Sequence, residues 1–128
     1  MDDPKKIRSF TDLVAWQESH KLVLHIYQVT EKFPVSERYG LTSQMRRAAV
    51  SISSNIAEGF SRRSPKEKEY FYSMSHGSLT EIQNQLFIAR DVSYVSSGKF
   101  NEIWDQTIVV HKLITGLIKS VRRFNHRT

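Results

Sequence analysis

The sequence predicts an all-α fold: an antiparallel up-down-up-down four-helix bundle, one domain over residues 1–128. Three observations predict it. Apolar residues recur with helical rather than alternating spacing in four segments. The turn signals Phe33-Pro34, Ser64-Pro65 and Ser97-Gly98 lie between those segments. The intervening connections are short, which makes sequential helices antiparallel neighbours. Only five glycines and three prolines are present, which speaks against a β-rich or low-complexity chain.

The first helix is predicted over 11–32, with Thr11 as N-cap. At ~100° per residue, Leu13, Trp16, His20, Val23, Leu24 and Tyr27 fall on one side, and Ala15, Leu22, Ile26 and Val29 nearly opposite. A helix on the outside of a monomer normally carries one apolar stripe. Two stripes predict that one packs in the core and the other against another subunit. The second helix is predicted over 42–62, after a short turn starting at Ser36. Its inner face is Met45, Ala48, Ala49, Ile52, Ile56 and Gly59, small enough to bring a neighbouring helix close. Arg47, Ser51, Ser54 and Glu58 form a polar stripe, in which Glu58 and Arg47 are placed to make an ion pair or polar network.

The third helix is predicted over 65–97. Ser64-Pro65-Lys66-Glu67 reads as a capping box with proline at the first helical position, and Gly98 as the stop. Phe71, Met74, Ser75, Ser78, Ile82, Leu86, Ala89 and Val92 line its predicted inner face. The fourth helix is predicted over 99–124. Phe100, Ile103, Thr107, Val110, His111, Ile114, Leu117, Ile118 and Val121 face inward, and Val109, Leu113 and Phe124 form a second apolar patch.

Nineteen Lys and Arg against thirteen Asp and Glu give a net charge of +6 and a pI of about 9.7. The predicted topology gathers that charge. The start of helix one, the end of helix two, the start of helix three and the end of helix four share one end of the bundle. That end collects Lys5, Lys6, Arg8, Arg62, Arg63, Lys66, Lys68, Lys119, Arg122, Arg123 and Arg127, eleven bases against five acids. Clustered cations of this kind bind polyanions in a salt-dependent, largely sequence-independent way. The competing reading is a solvated face, with Arg122 and Arg123 complementing a helix C-terminus.

The sequence excludes much chemistry. With no cysteine there is no disulfide, thiolate nucleophile or zinc ribbon. No apolar run approaches the ~20 residues of a membrane span, and Met1-Asp2-Asp3-Pro4-Lys5-Lys6 leads into no apolar stretch of a secretory signal. A cytoplasmic location is expected. No Glu-x-x-His pair, P-loop, H-E-x-x-H or G-x-S-x-G motif occurs. His20 and His111 lie on predicted apolar faces and read as hydrogen-bonded interior histidines, not haem ligands. Tyrosines and tryptophans read as core or interface anchors, not as base-stacking platforms, and no RNA-binding motif of the aromatic-platform type is present. No catalytic residue, metal or cofactor is expected.

Three stretches carry a resemblance. They are Tyr39 to Gly59, with its core Ser54-Asn55-Ile56-Ala57-Glu58-Gly59; Phe10-Thr11-Asp12-Leu13-Val14-Ala15-Trp16-Gln17; and Gly77-Ser78-Leu79-Thr80-Glu81-Ile82-Gln83-Asn84-Gln85-Leu86. Together they resemble the four helix bundle proteins encoded in 23S rRNA intervening sequences, over residues 8 to 122. Ser53 departs from a proline frequent in that family, so the second helix lacks that kink. The resemblance implies a non-enzymatic bundle assembled as a ring, typically a homopentamer. The family is similar to the accessory variability proteins of diversity-generating retroelements, basic pentamers that bind nucleic acid and a reverse transcriptase. The expected function is that of an oligomeric RNA- or DNA-binding accessory protein acting through its basic end. The rival expectation is a ring-shaped protein-interaction scaffold with little or no nucleic-acid binding.

Overall fold

The computed structural model describes residues 6–127, with side chains described over 6–123. Four helices make the fold: α1 (Val14–Thr30), α2 (Leu41–Ser61), α3 (Pro65–Asp91) and α4 (Ser97–Arg127), with short 3-10 turns at Phe10–Asp12 and Val35–Glu37. No strand occurs among the described residues. Each helix packs on its two sequence neighbours in a closed square, α1 also meeting α4, while the diagonal pairs stay apart. The all-α bundle predicted from periodicity is the observed fold.

The core is the contiguous set of small and branched side chains that the wheel places inside. On α2 it is Met45, Ala48, Ala49, Ile52, Ile56 and Gly59, every one buried and as predicted. On α1 the Ala15, Leu22, Ile26 and Val29 stripe is buried. The opposite stripe is split: Val23 is buried, Leu13 and Trp16 are partly so, and His20, Leu24 and Tyr27 are exposed. The α2–α3 contact runs through small residues. Ser75 Oγ donates to the Ile52 carbonyl at 2.7 Å, and Ser51 and Ser78 hydroxyls meet at 2.8 Å. A Cβ on Gly59 would lie 2.6 Å from the Tyr72 ring, so the missing side chain makes room for that aromatic.

Two predicted helix boundaries are corrected. Thr11 does not cap α1. Ser9 caps the 3-10 turn instead: its Oγ accepts from the Thr11 N–H at 3.1 Å, and Asp12 accepts from the N–H groups of Ser9 and Arg8. That reciprocal capping box ends at Leu13, which opens α1 without a side-chain cap. The α3 stop is not Gly98. The helix ends at Asp91 in a Schellman motif: Tyr94 N–H donates to Ala89 O at 2.8 Å and Ser93 N–H to Arg90 O at 3.0 Å. Ser93 takes the left-handed conformation, φ 67°, that the motif requires after the C-cap. The chain then turns Val95 into the core, and Ser96 caps α4 by accepting from the Lys99 N–H at 3.1 Å. Gly98 lies in the first turn of α4.

The inner face of α3 is turned relative to the prediction. Tyr72, Leu79 and Gln85 are buried with Ser75, Ile82, Leu86 and Ala89, whereas Met74 and Val92 are exposed. On α4, Phe100, Ile103, Thr107, Val110, Ile114 and Ile118 are buried, Leu117 and Val121 are half-buried, and His111 is exposed.

The end of the bundle formed by the α1–α2 and α3–α4 connections is tied by Glu37. Its carboxylate accepts from the Tyr94 hydroxyl at 2.8 Å and from the Leu41 N–H at 3.1 Å, the latter capping α2 where Gly40 has no side chain to do so. These donors hold the Glu37 carboxyl below the usual range, and the carboxylate pushes the Tyr94 phenol up.

Candidate nucleic-acid interface

The antiparallel topology brings the predicted cations together at the other end. Three contacts define that pole. Arg122 Nε on α4 meets Glu69 Oε1 on α3 at 3.0 Å. Lys68 Nζ on α3 reaches the Phe60 carbonyl at the end of α2 at 2.7 Å. Phe10, ahead of α1, lines one groove with Glu58 and Ser61 of α2 and Phe71 of α3.

The structure sorts the predicted residues into two sets. Some are occupied by the fold. Arg62 pairs with Glu58 at 3.1 Å and lies over the Phe71 ring at 4.7 Å. Arg122 is held by Glu69. Lys68 caps the last carbonyls of α2, where positive charge complements the helix dipole. Burial lowers the pKa of the Lys68 amine. Arg8 donates its backbone N–H to Asp12. The other set is Lys6, Arg63, Lys66, Lys119 and Arg123, all exposed and without a carboxylate partner among the described residues. Lys5 lies outside the described residues, and Arg127 outside those with described side chains.

The far end behaves differently. Arg46 pairs with Glu31 at 3.1 Å, Arg90 with Asp91 at 2.9 Å and Lys99 with Glu102 at 3.0 Å. Lys32 and Arg38 stay exposed there without a carboxylate partner among the described residues, a smaller set than the one the pole keeps.

One predicted pairing does not form, and two predicted interior residues are not interior. Glu58 and Arg47 are both exposed and bind elsewhere: Glu58 to Arg62, and Arg47 at 3.8 Å to Glu81. An i,i+4 partner reaches Glu58 where one eleven residues away does not. His20 and His111 are not interior and do not meet. His20 stacks on Trp16 at 4.8 Å, and His111 on His76 at 4.5 Å. No group of three His, Cys, Asp or Glu that could hold a metal occurs among the described residues, and no described helix is long and apolar enough to cross a membrane.

Sequence reasoning missed the exposed part of α3. Tyr70 and Met74 are exposed beside the pole, where the wheel had assigned Met74 to the core. The signal was present in the sequence: Tyr70, Met74 and Gly77 recur at i, i+4 and i+7, outside the buried set.

Fold and pole together define a class, a helical bundle with charge segregated to one end. The chain belongs to the 23S rRNA-intervening sequence protein family, whose model matches residues 11–116. A solved structure from Bacteroides thetaiotaomicron VPI-5482, a protein of unknown function from the S23 ribosomal protein family, has the same fold. It is 21% identical, with a TM-score of 0.75, and the match covers 83% of this chain and 96% of that one. Comparison with curated proteins gives no match.

Proposed function

We propose that this protein is a non-enzymatic, cytoplasmic nucleic-acid-binding accessory protein that works as an oligomer through its basic pole. The observation that carries this reading is the set Lys6, Arg63, Lys66, Lys119 and Arg123, exposed at one end and unmatched by carboxylates among the described residues. Phosphates replace the counterions of such a cluster, so binding follows charge and salt rather than base sequence.

The oligomer is supported by apolar surface that the bundle does not cover: Leu24 and Tyr27 on α1, Val50 on α2 and Val109 on α4. A ring of the kind the family resemblance implies, a homopentamer, would set every basic pole on one rim and raise avidity without any new contact. Anisotropy titration of labelled RNA and DNA at two salt concentrations tests the binding, and light scattering tests the assembly. Binding that weakens steeply with salt is expected. No binding at low salt overturns the reading.

The same apolar faces favour a second reading, a protein-interaction scaffold whose partner could be a reverse transcriptase. A partner retained on the protein after nuclease treatment of the lysate supports the scaffold, and one released by nuclease supports the polyanion reading.

A further inference from the structure

We propose that the outer face of α3 beside the pole seats unpaired bases, so that single-stranded nucleic acid is preferred over duplex; this rests on the polyanion reading above. The face begins at Lys66, exposed and without a carboxylate partner among the described residues. One helical turn on, at i+4, stands Tyr70, 60% exposed. An aromatic ring this open is held for a purpose other than the core of this chain. It has one ring neighbour: Phe71 packs on it edge-to-face at 5.2 Å and 86°, and Arg62 lies over Phe71. That contact occupies at most one face of the Tyr70 ring.

Beyond Tyr70 a shallow, open depression passes Met74 and Gly77 and ends at Glu81. Gly77 is one of its lining residues. It sits inside a helix, where glycine costs about 1 kcal/mol relative to alanine. Its φ is not positive, and a Cβ added there meets nothing within 4 Å. The fold does not require glycine here, as it does not at Gly98 or Gly116, and the missing side chain leaves open helix surface on which a flat group can approach the backbone. At the far end Glu81 is paired with Arg47 at 3.8 Å and accepts from Gln85 at 3.0 Å, so the unmatched cations lie at the Lys66 end. That charge order places the backbone of a bound strand toward Lys66 and Arg63 and turns a base inward over Tyr70 and Gly77. Stacking on an aromatic side chain is available to any base that is not already stacked in a duplex.

Anisotropy titrations of the full chain with labelled oligo-dT and with a duplex of equal length, at one salt concentration, test this. Oligo-dT binds more tightly if the proposal holds. Tyr70→Ala then weakens oligo-dT on the order of 10-fold and leaves the duplex within about 2-fold, consistent with ~1–3 kcal/mol per stacked base. Tyr70→Phe retains binding. Gly77→Leu fills the depression and weakens oligo-dT although it favours the helix, so its loss is not a loss of folding. Equal binding of oligo-dT by wild type, Tyr70→Ala and Gly77→Leu overturns the proposal. So does a Tyr70→Ala variant whose mass by light scattering changes while its affinity does not, which would make this face a contact between copies. Duplex binding with no single-strand preference overturns this proposal alone, whereas failure to bind either ligand at low salt overturns the polyanion reading itself.

Discussion

Ser93 decides where the long third helix stops. It is the one non-glycine residue at positive φ among the described residues, and left-handed backbone costs an L-residue roughly 1–2 kcal/mol. Ser93→Gly relieves that strain and gives back part of the gain in chain entropy. The expected result is a net stabilisation of about 0.5–1 kcal/mol in urea unfolding. The same residue explains why the α3–α4 boundary was not legible: helix ends are read from glycine, and here serine occupies the site while Gly98 lies nearby in the next helix. His76 carries a second residue-scale prediction. Burial against α4 lowers its pKa; the bond to the His111 carbonyl opposes this in part, and the neighbouring His111 ring adds a smaller lowering. A histidine held below its ordinary value binds fewer protons folded than unfolded, so the fold is fully favoured above the unfolded pKa near 6.5 and loses stability as pH falls below it. Melting temperature measured from pH 7 to pH 5 should fall less in His76→Gln than in wild type.

At the scale of elements, two glycines of the same residue type predict opposite outcomes. Gly59 faces Tyr72 and Gly77 faces open space. Gly59→Ala forces a buried ring aside, and overpacking of about 1–3 kcal/mol outweighs a helix gain of ~1, for a net loss on the order of 1 kcal/mol. Gly77→Ala keeps the helix gain, raising the melting temperature by roughly 3–6 °C. Thermal melts of the two variants decide both. Helix α2 was legible almost residue by residue because its apolar and small side chains occupy one narrow arc. Helix α3 was not. Tyr70, Phe71, Tyr72 and Met74 surround its first turns, so the apolar residues do not define one direction. Contact with α2 on one side and α4 on the other selects Tyr72 and Leu79 and leaves Met74 and Val92 outside. A capping box was predicted at Ser64. The Ser64 Oγ does accept from Glu67 N–H at 3.1 Å, while the reciprocal box forms at Ser9 and Asp12.

For the whole molecule, the up-down-up-down order alone gathers the basic residues to one end, and that much was readable from helix order and charge. Which cations remain open was not, because commitment is set by partners distant in sequence. Arg122 and Glu69 are 53 residues apart and meet only in the folded bundle. The sorting predicts different roles for residues of equal charge. Replacing Arg62 or Arg122 perturbs local packing at the pole, while replacing Arg63, Lys66, Lys119 or Arg123 removes phosphate contacts and leaves the fold intact. The most direct test is the slope of log affinity against log salt for duplex binding, measured on wild type and on a variant carrying Arg63→Gln, Lys66→Gln, Lys119→Gln and Arg123→Gln, with circular dichroism confirming the helices. The account predicts weaker binding on every sequence and a slope shallower by up to ~0.9 for each contact removed. An unchanged slope and affinity in the folded variant would contradict it.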